Sequence, residues 1–131
     1  MWPANQYRTY LQTFTLTAPP GRVVLLLYER ALRHLEAAKT GFALDDPAEL
    51  NMTVNNNLQK AQEIIRELER GLDFDQGGEL ALTLSHLYDY FDERLQTSNL
   101  TKTPGGIDEV SGLVTELRNS WDQMLRSPHA A

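Results

Sequence analysis

Residues 46–72 read DPAELNMTVNNNLQKAQEIIRELERGL, and this stretch decides the fold. Leu50, Val54, Leu58, Ala61, Ile65, Leu68 and Leu72 recur at steps of three and four, which puts them on one face of a helix. Asp46 precedes Pro47, and Glu49 follows at the third helical position: an N-cap, a proline pre-set for the first turn, and an acid favoured by the positive end of the helix dipole. At the far end, Gly71 stands behind Arg66 and Arg70, where a left-handed residue is expected to close the helix.

The same period appears on both sides of this segment. Val24, Leu27, Tyr28, Ala31, Leu35 and Ala38 form a stripe upstream. Leu80, Leu84, Leu87, Tyr88, Phe91 and Leu95 form one downstream, and Ile107, Val110, Val114, Leu117, Trp121 and Met124 form a fourth. Pro19-Pro20-Gly21, Asp45-Asp46-Pro47, Asp75-Gln76-Gly77-Gly78 and Pro104-Gly105-Gly106 separate them. Asn99 is expected to close the third helix. No segment alternates with period two, so strands are not expected. Connections of about six to ten residues favour antiparallel neighbours. The expectation is an all-α, antiparallel up-down four-helix bundle over residues 19–127, with a short N-terminal helical arm over 1–18 and a frayed tail over 128–131.

In the arm, Tyr7, Tyr10, Leu11 and Phe14 make a fifth stripe only two turns long, too short to hold as an isolated helix, so it must dock elsewhere to be ordered. Apolar residues also stand off the core stripes: Leu26, Met52 and Leu82 lie roughly opposite theirs, and Tyr90 lies well to one side. A bundle needs about one apolar face per helix. The surplus, beside a detachable arm, suggests a groove for another chain; equally, the arm completes the core and the scattered residues are ordinary surface.

Composition narrows the chemistry. The 131 residues include 12 Lys and Arg against 18 Asp and Glu, a net charge of −6. Nucleic-acid phosphates and anionic membrane surfaces are therefore disfavoured as partners. With no cysteine, disulfides, thiolate catalysis and thiolate metal sites are excluded. Mean hydropathy is −0.42, and the longest apolar run, Val23 to Tyr28, falls far short of the ~20 residues of a membrane span. The first residues show no secretory signal pattern, so a cytosolic location is expected.

Enzyme readings find little support. A di-metal carboxylate bundle needs Glu-x-x-His pairs, but Ala31, Thr83 and Arg126 stand three residues before His34, His86 and His129. A histidine phosphotransfer domain needs an exposed histidine followed closely by a small residue and a lysine; neither His34 nor His86 has that setting, and a solvated or hydrogen-bonded helix histidine explains both. Ser85 and His86 are neighbours in sequence but diverge by about 100° on a helix. Gly77-Gly78 and Gly105-Gly106 are lone pairs, without a phosphate-binding loop. No cofactor is expected.

One set of motifs is more specific. Asn5-x-Tyr7-x-x-Tyr10, Leu26-Leu27-Tyr28, Lys60-Ala61-Gln62-x-Ile64-Ile65-x-x-Leu68, Gly77-Gly78-Glu79-Leu80-Ala81-x-x-Leu84-x-x-Leu87-Tyr88-Asp89-Tyr90, and Leu117-Arg118-x-x-Trp121 occur in this order. Their order and spacing resemble the flagellar export chaperones of the FliS type along nearly the whole chain. The family commonly has Ser-Pro before the first helix, where this chain has Pro19-Pro20. The resemblance implies a cytosolic chaperone that binds the C-terminal segment of flagellin and keeps it unpolymerised until export, with the export apparatus or flagellar regulators as further partners. It implies that the arm covers part of the groove, with Tyr7 and Tyr10 at the matching positions as its anchors; Leu11 and Phe14, from the arm's own stripe, are candidates beside them. Val54, Leu58, Ile65, Leu68 and Tyr88 are the candidates for the groove lining, although core packing is the favoured reading for Leu58 and Leu68. A generic helical-bundle adaptor is the alternative; it shares the fold but not the motifs.

Overall fold

The computed structural model describes residues 21–126. Helix α1 runs Gly21–Gly41, α2 Pro47–Arg70, α3 Phe74–Thr101 and α4 Gly105–Arg126. Among the described residues there is no strand. Consecutive helices pack together, and α1 also packs on α4, closing a ring of four.

Pairs along two of the seams show that these neighbours run antiparallel. On α2 and α3, Asn55 meets Asn99, Gln62 meets Asp92 and Gln96, and Glu69 meets Ser85. On α1 and α4, Lys39 pairs with Asp108 and Glu29 with Arg118. Rising numbers on one helix therefore meet falling numbers on the next. The up-down four-helix bundle is the observed architecture.

The stripes face inward. Val24, Ala31, Leu35, Leu84, Phe91, Val110 and Leu117 are all buried, with the second stripe's central residues among them. Leu50, Leu72, Leu80 and Leu87, at stripe ends or edges, are only partly buried against this core. At the centre, the Tyr28 and Tyr88 hydroxyls meet at 2.7 Å across the bundle diagonal, from α1 to α3. Trp121 sets its ring edge-on to Tyr28, centroids 6.0 Å apart at 80°. Its indole N–H donates to the Gly21 carbonyl at 3.1 Å, tying α4 to the first turn of α1. Large aromatics can thus fill the core while their polar atoms keep partners.

The helix ends agree with the sequence in part. Asp46 caps α2, its carboxylate accepting from the Ala48 N–H at 3.3 Å with Pro47 in the first turn. Gly71 is not left-handed: its φ is −81°. The chain leaves α2 by tightening its last turn, the Leu72 N–H donating to the Glu69 carbonyl at 3.1 Å. Asp73 caps α3, accepting from the Gln76 N–H at 3.0 Å. The helix therefore starts ahead of Gly77-Gly78, and the expected break is reduced to a kink at Gly78, with φ +55°. Asn99 does not close α3. It lies inside the helix and its amide donates to Asn55 across the seam at 2.8 Å. Lys102 takes the left-handed position at φ 52° and donates its N–H to the Ser98 carbonyl. The connections, 42–46, 71–73 and 102–104, are shorter than expected because the helices run on into the punctuating segments: α3 begins at Phe74, directly after its cap Asp73, and continues to Thr101.

Candidate binding surface

The off-stripe apolar residues are where a helical wheel puts them, in solvent. Leu26 is 51% exposed, Met52 62%, Leu82 49% and Tyr90 40%. Phe74 and Leu100 join them, the latter at 76%. Helical geometry forces this result: a residue opposite the core stripe has no neighbouring helix to cover it.

The candidate groove residues on α2 and α3 lie elsewhere. Val54, Leu58, Ile65, Leu68 and Tyr88 are all buried, none more than 5% exposed. The helical period that singled them out is the period of the core stripe itself. In this arrangement they support the surface from beneath. Tyr7, Tyr10, Leu11 and Phe14, like the tail over 128–131, lie outside the described residues.

The α1–α4 seam carries two depressions. One, of about 590 Å³, lies between Leu32, Arg33 and Glu36 on α1 and Ser111, Gly112 and Thr115 on α4. The other, of about 420 Å³, lies toward the other end, with Leu25, Leu26 and Leu125 beside Arg22, Arg118 and Arg126. The second also contains the Glu29–Arg118 pair, in which both Nε (3.0 Å) and Nη2 (2.7 Å) of the arginine donate to one carboxylate oxygen. Two sequence signals could have found this seam: Leu26 off its stripe, and a glycine at 112 inside a helical run. Which helices would flank it was not legible.

The α2–α3 seam is polar. Gln62, though buried, donates to Asp92 Oδ1 at 3.0 Å and to Gln96 Oε1 at 3.3 Å. Glu69 accepts from the Ser85 hydroxyl at 2.8 Å. Partial burial, with Asp89 and Asp92 nearby, raises the Glu69 carboxyl above its ordinary range despite that hydrogen bond. On the α3–α4 seam the reverse holds: the Tyr90 hydroxyl and the Arg94 guanidinium hold the Glu109 carboxyl below its ordinary range. His34 Nδ1 lies 3.1 Å from Asn57 Oδ1, the hydrogen-bonded helix histidine that the sequence suggested. Among the described residues, no group of three His, Asp or Glu side chains is arranged to hold a metal ion, and no helix is long and apolar enough to cross a membrane.

These features describe a small helical bundle with a filled aromatic core, polar seams and apolar side chains left outside: the class of helical-bundle proteins with surface to spare for another chain. Comparison with known sequences is more specific. The profile of the family described as flagellar protein FliS matches residues 3–128. The flagellar secretion chaperone FliS of Bacillus subtilis is 36% identical over 123 residues, covering 94% of this chain and 88% of the relative. Its counterpart in Salmonella typhimurium is 32% identical over 136 residues, covering 100% of this chain and 96% of the relative. The flagellar secretion chaperone FliSB of Pseudomonas aeruginosa is 34% identical over 105 residues, 80% of each chain. The chain belongs to the FliS family of flagellar secretion chaperones. It is a chaperone rather than an enzyme.

Proposed function

We propose that this chaperone binds the C-terminal segment of flagellin in the cytosol, keeps it from polymerising, and hands it to the export machinery. The observation that carries the reading is the exposure of Met52, Leu82 and Tyr90 on α2 and α3, helices whose core faces are already filled. A disordered segment that forms amphipathic helices on binding can wrap such a surface, burying large area while paying ordering entropy. The resulting affinity is useful and releasable, and no bond need be made or broken. Family membership supports the same reading.

In this proposal the arm acts as a latch through Tyr7, Tyr10, Leu11 and Phe14, and gives way when flagellin arrives. The exposed residues make contact, while Val54, Leu58, Ile65, Leu68 and Tyr88 hold the helices that present them. Calorimetric titration with flagellin, and with flagellin lacking its C-terminal segment, tests the central claim. Binding is expected only to the complete protein; equal binding to both forms overturns it. For the arm, a Tyr10→Ala variant that keeps both its flagellin affinity and its stability removes the latch.

A further inference from the structure

The charges of this protein are unevenly placed. In a chain of net charge −6, α1 carries Arg22, Arg30, Arg33 and Lys39 against only Glu29 and Glu36, and is the one described helix with net positive charge. Most charges along the α1–α4 seam are already matched. Lys39 pairs with Glu36 at 3.7 Å and Asp108 at 3.2 Å. Arg118 pairs with Glu29 at 2.7 Å, and Asp122 lies 3.7 Å from Arg118 and 3.0 Å from Arg126. Arg22 and Arg33 are left over. Both are exposed and line the two depressions, and neither has an ion-pair partner among the described residues.

Their spacing is informative. Eleven residues are three turns of helix, so Arg22 and Arg33 stand on one edge of the groove about 16 Å apart. Between them the groove offers the exposed Leu26 and the partly buried Leu32, with the Glu29–Arg118 pair crossing the seam. On the facing helix, a Cβ built at Gly112 meets nothing within 4 Å, which leaves room for another backbone to come close.

We propose that the α1–α4 groove is a second docking site, separate from the flagellin surface, which takes an acidic amphipathic helix from another protein. The fitting helix is about five turns long, laid along the seam from Arg22 to Lys39. Its apolar stripe rests on Leu26 and Leu32. Its carboxylates, one near each end and about eleven residues apart, meet Arg22 and Arg33. Guanidinium groups suit this task because each can hold a carboxylate through two parallel hydrogen bonds. A neutral or basic helix would leave both arginines unmatched.

The test uses the full chain and two fluorescent 18-residue peptides with the same Leu/Ala stripe, one with two glutamates eleven residues apart and one with lysines there. The glutamate peptide is expected to bind at least tenfold more tightly in anisotropy titrations, with affinity falling as salt is raised. The double variant R22E/R33E, checked for unchanged helicity, is expected to lose that binding, prefer the lysine peptide, and bind flagellin as before. Equal binding of the two peptides, or glutamate-peptide binding unchanged in R22E/R33E, overturns the proposal. Displacement of the peptide by a flagellin C-terminal fragment overturns the separateness of the site. Sedimentation showing that the free chain self-associates and that R22E/R33E disperses it assigns the groove to a second copy and also overturns it. Flagellin binding is read independently, so failure here leaves the flagellin reading standing.

Discussion

Replacing Gly106 with alanine places a methyl group where α4 starts against α3. A Cβ at that position lies 2.4 Å from the Ser98 hydroxyl oxygen and 2.9 Å from the Arg94 carbonyl oxygen. The serine hydroxyl is a side-chain atom, but Ser98 is only 2% exposed and has little room to turn. The Arg94 carbonyl is backbone within α3 and can retreat only if the two helices separate. Overpacking of this kind costs about 1–3 kcal/mol. Alanine's helix advantage over glycine, up to about 1 kcal/mol in a helix interior, offsets little of it, because Gly106 lies in the first turn. Gly112 provides the control on the same helix. Nothing lies within 4 Å of a Cβ there, so Gly112→Ala is expected to gain about 0.5–1 kcal/mol. Urea denaturation followed by circular dichroism reads both, with midpoints moving in opposite directions and Tm shifting on the order of 4 °C per kcal/mol. Two variants stabilised alike would refute the close approach of α3 and α4 at this point.

Leu58→Ala removes a side chain with 0% exposure and is expected to cost about 2–5 kcal/mol in chemical denaturation. Met52→Ala, at 62% exposure, should stay within about 0.5 kcal/mol of the parent. If the proposed flagellin surface is right, Met52→Ala weakens flagellin binding in calorimetry without that stability loss. Asp46→Ala removes the α2 cap and should cost about 0.5–1 kcal/mol, the lower part of the usual range, because its bond to Ala48 is long and exposed. The two perturbed carboxylates respond to pH with opposite sign, read as urea midpoints across the acid range. Glu109, held low by Tyr90 and Arg94, contributes stability above its unfolded pKa that disappears as pH falls through its folded value. Tyr90→Phe should shrink this acid-side loss. Glu69, held high, is disfavoured as an anion; its contribution is greatest when protonated and falls as pH rises through its folded value. Glu69→Gln should flatten that fall, and an unchanged pH profile would show that Glu69 is not the group responsible.

The helical period and the caps at Asp46 and Pro47 are written in neighbouring residues. The stripes, the bundle and the buried positions of Val24, Leu58, Phe91 and Leu117 are therefore legible in the amino-acid sequence itself. The candidate site was less legible, and Tyr88 shows why. A period of 3.6 marks the inward face without telling whether a given inward residue touches a core neighbour or a partner. Leu26 and Met52 were easier, since a residue opposite the stripe has only solvent to face.

What the sequence alone determined, then, is what short range decides: four helices, an all-α class, an acidic chain without thiol chemistry, and the motif order of its family. Tertiary structure decided what depends on residues far apart in the chain. Gly106 and Gly112 look alike in sequence, but one faces the α3 backbone and the other faces open space. Asn99 was available as a helix terminator and instead bonds to Asn55, 44 residues away. Arg22 and Arg33 are two ordinary arginines until the pairs formed by Arg118, Arg126 and Lys39 show which charges along the seam remain unmatched. The physical reason is common to all three. A side chain's own chemistry is local, whereas its surroundings are supplied by whichever helix the ring brings beside it.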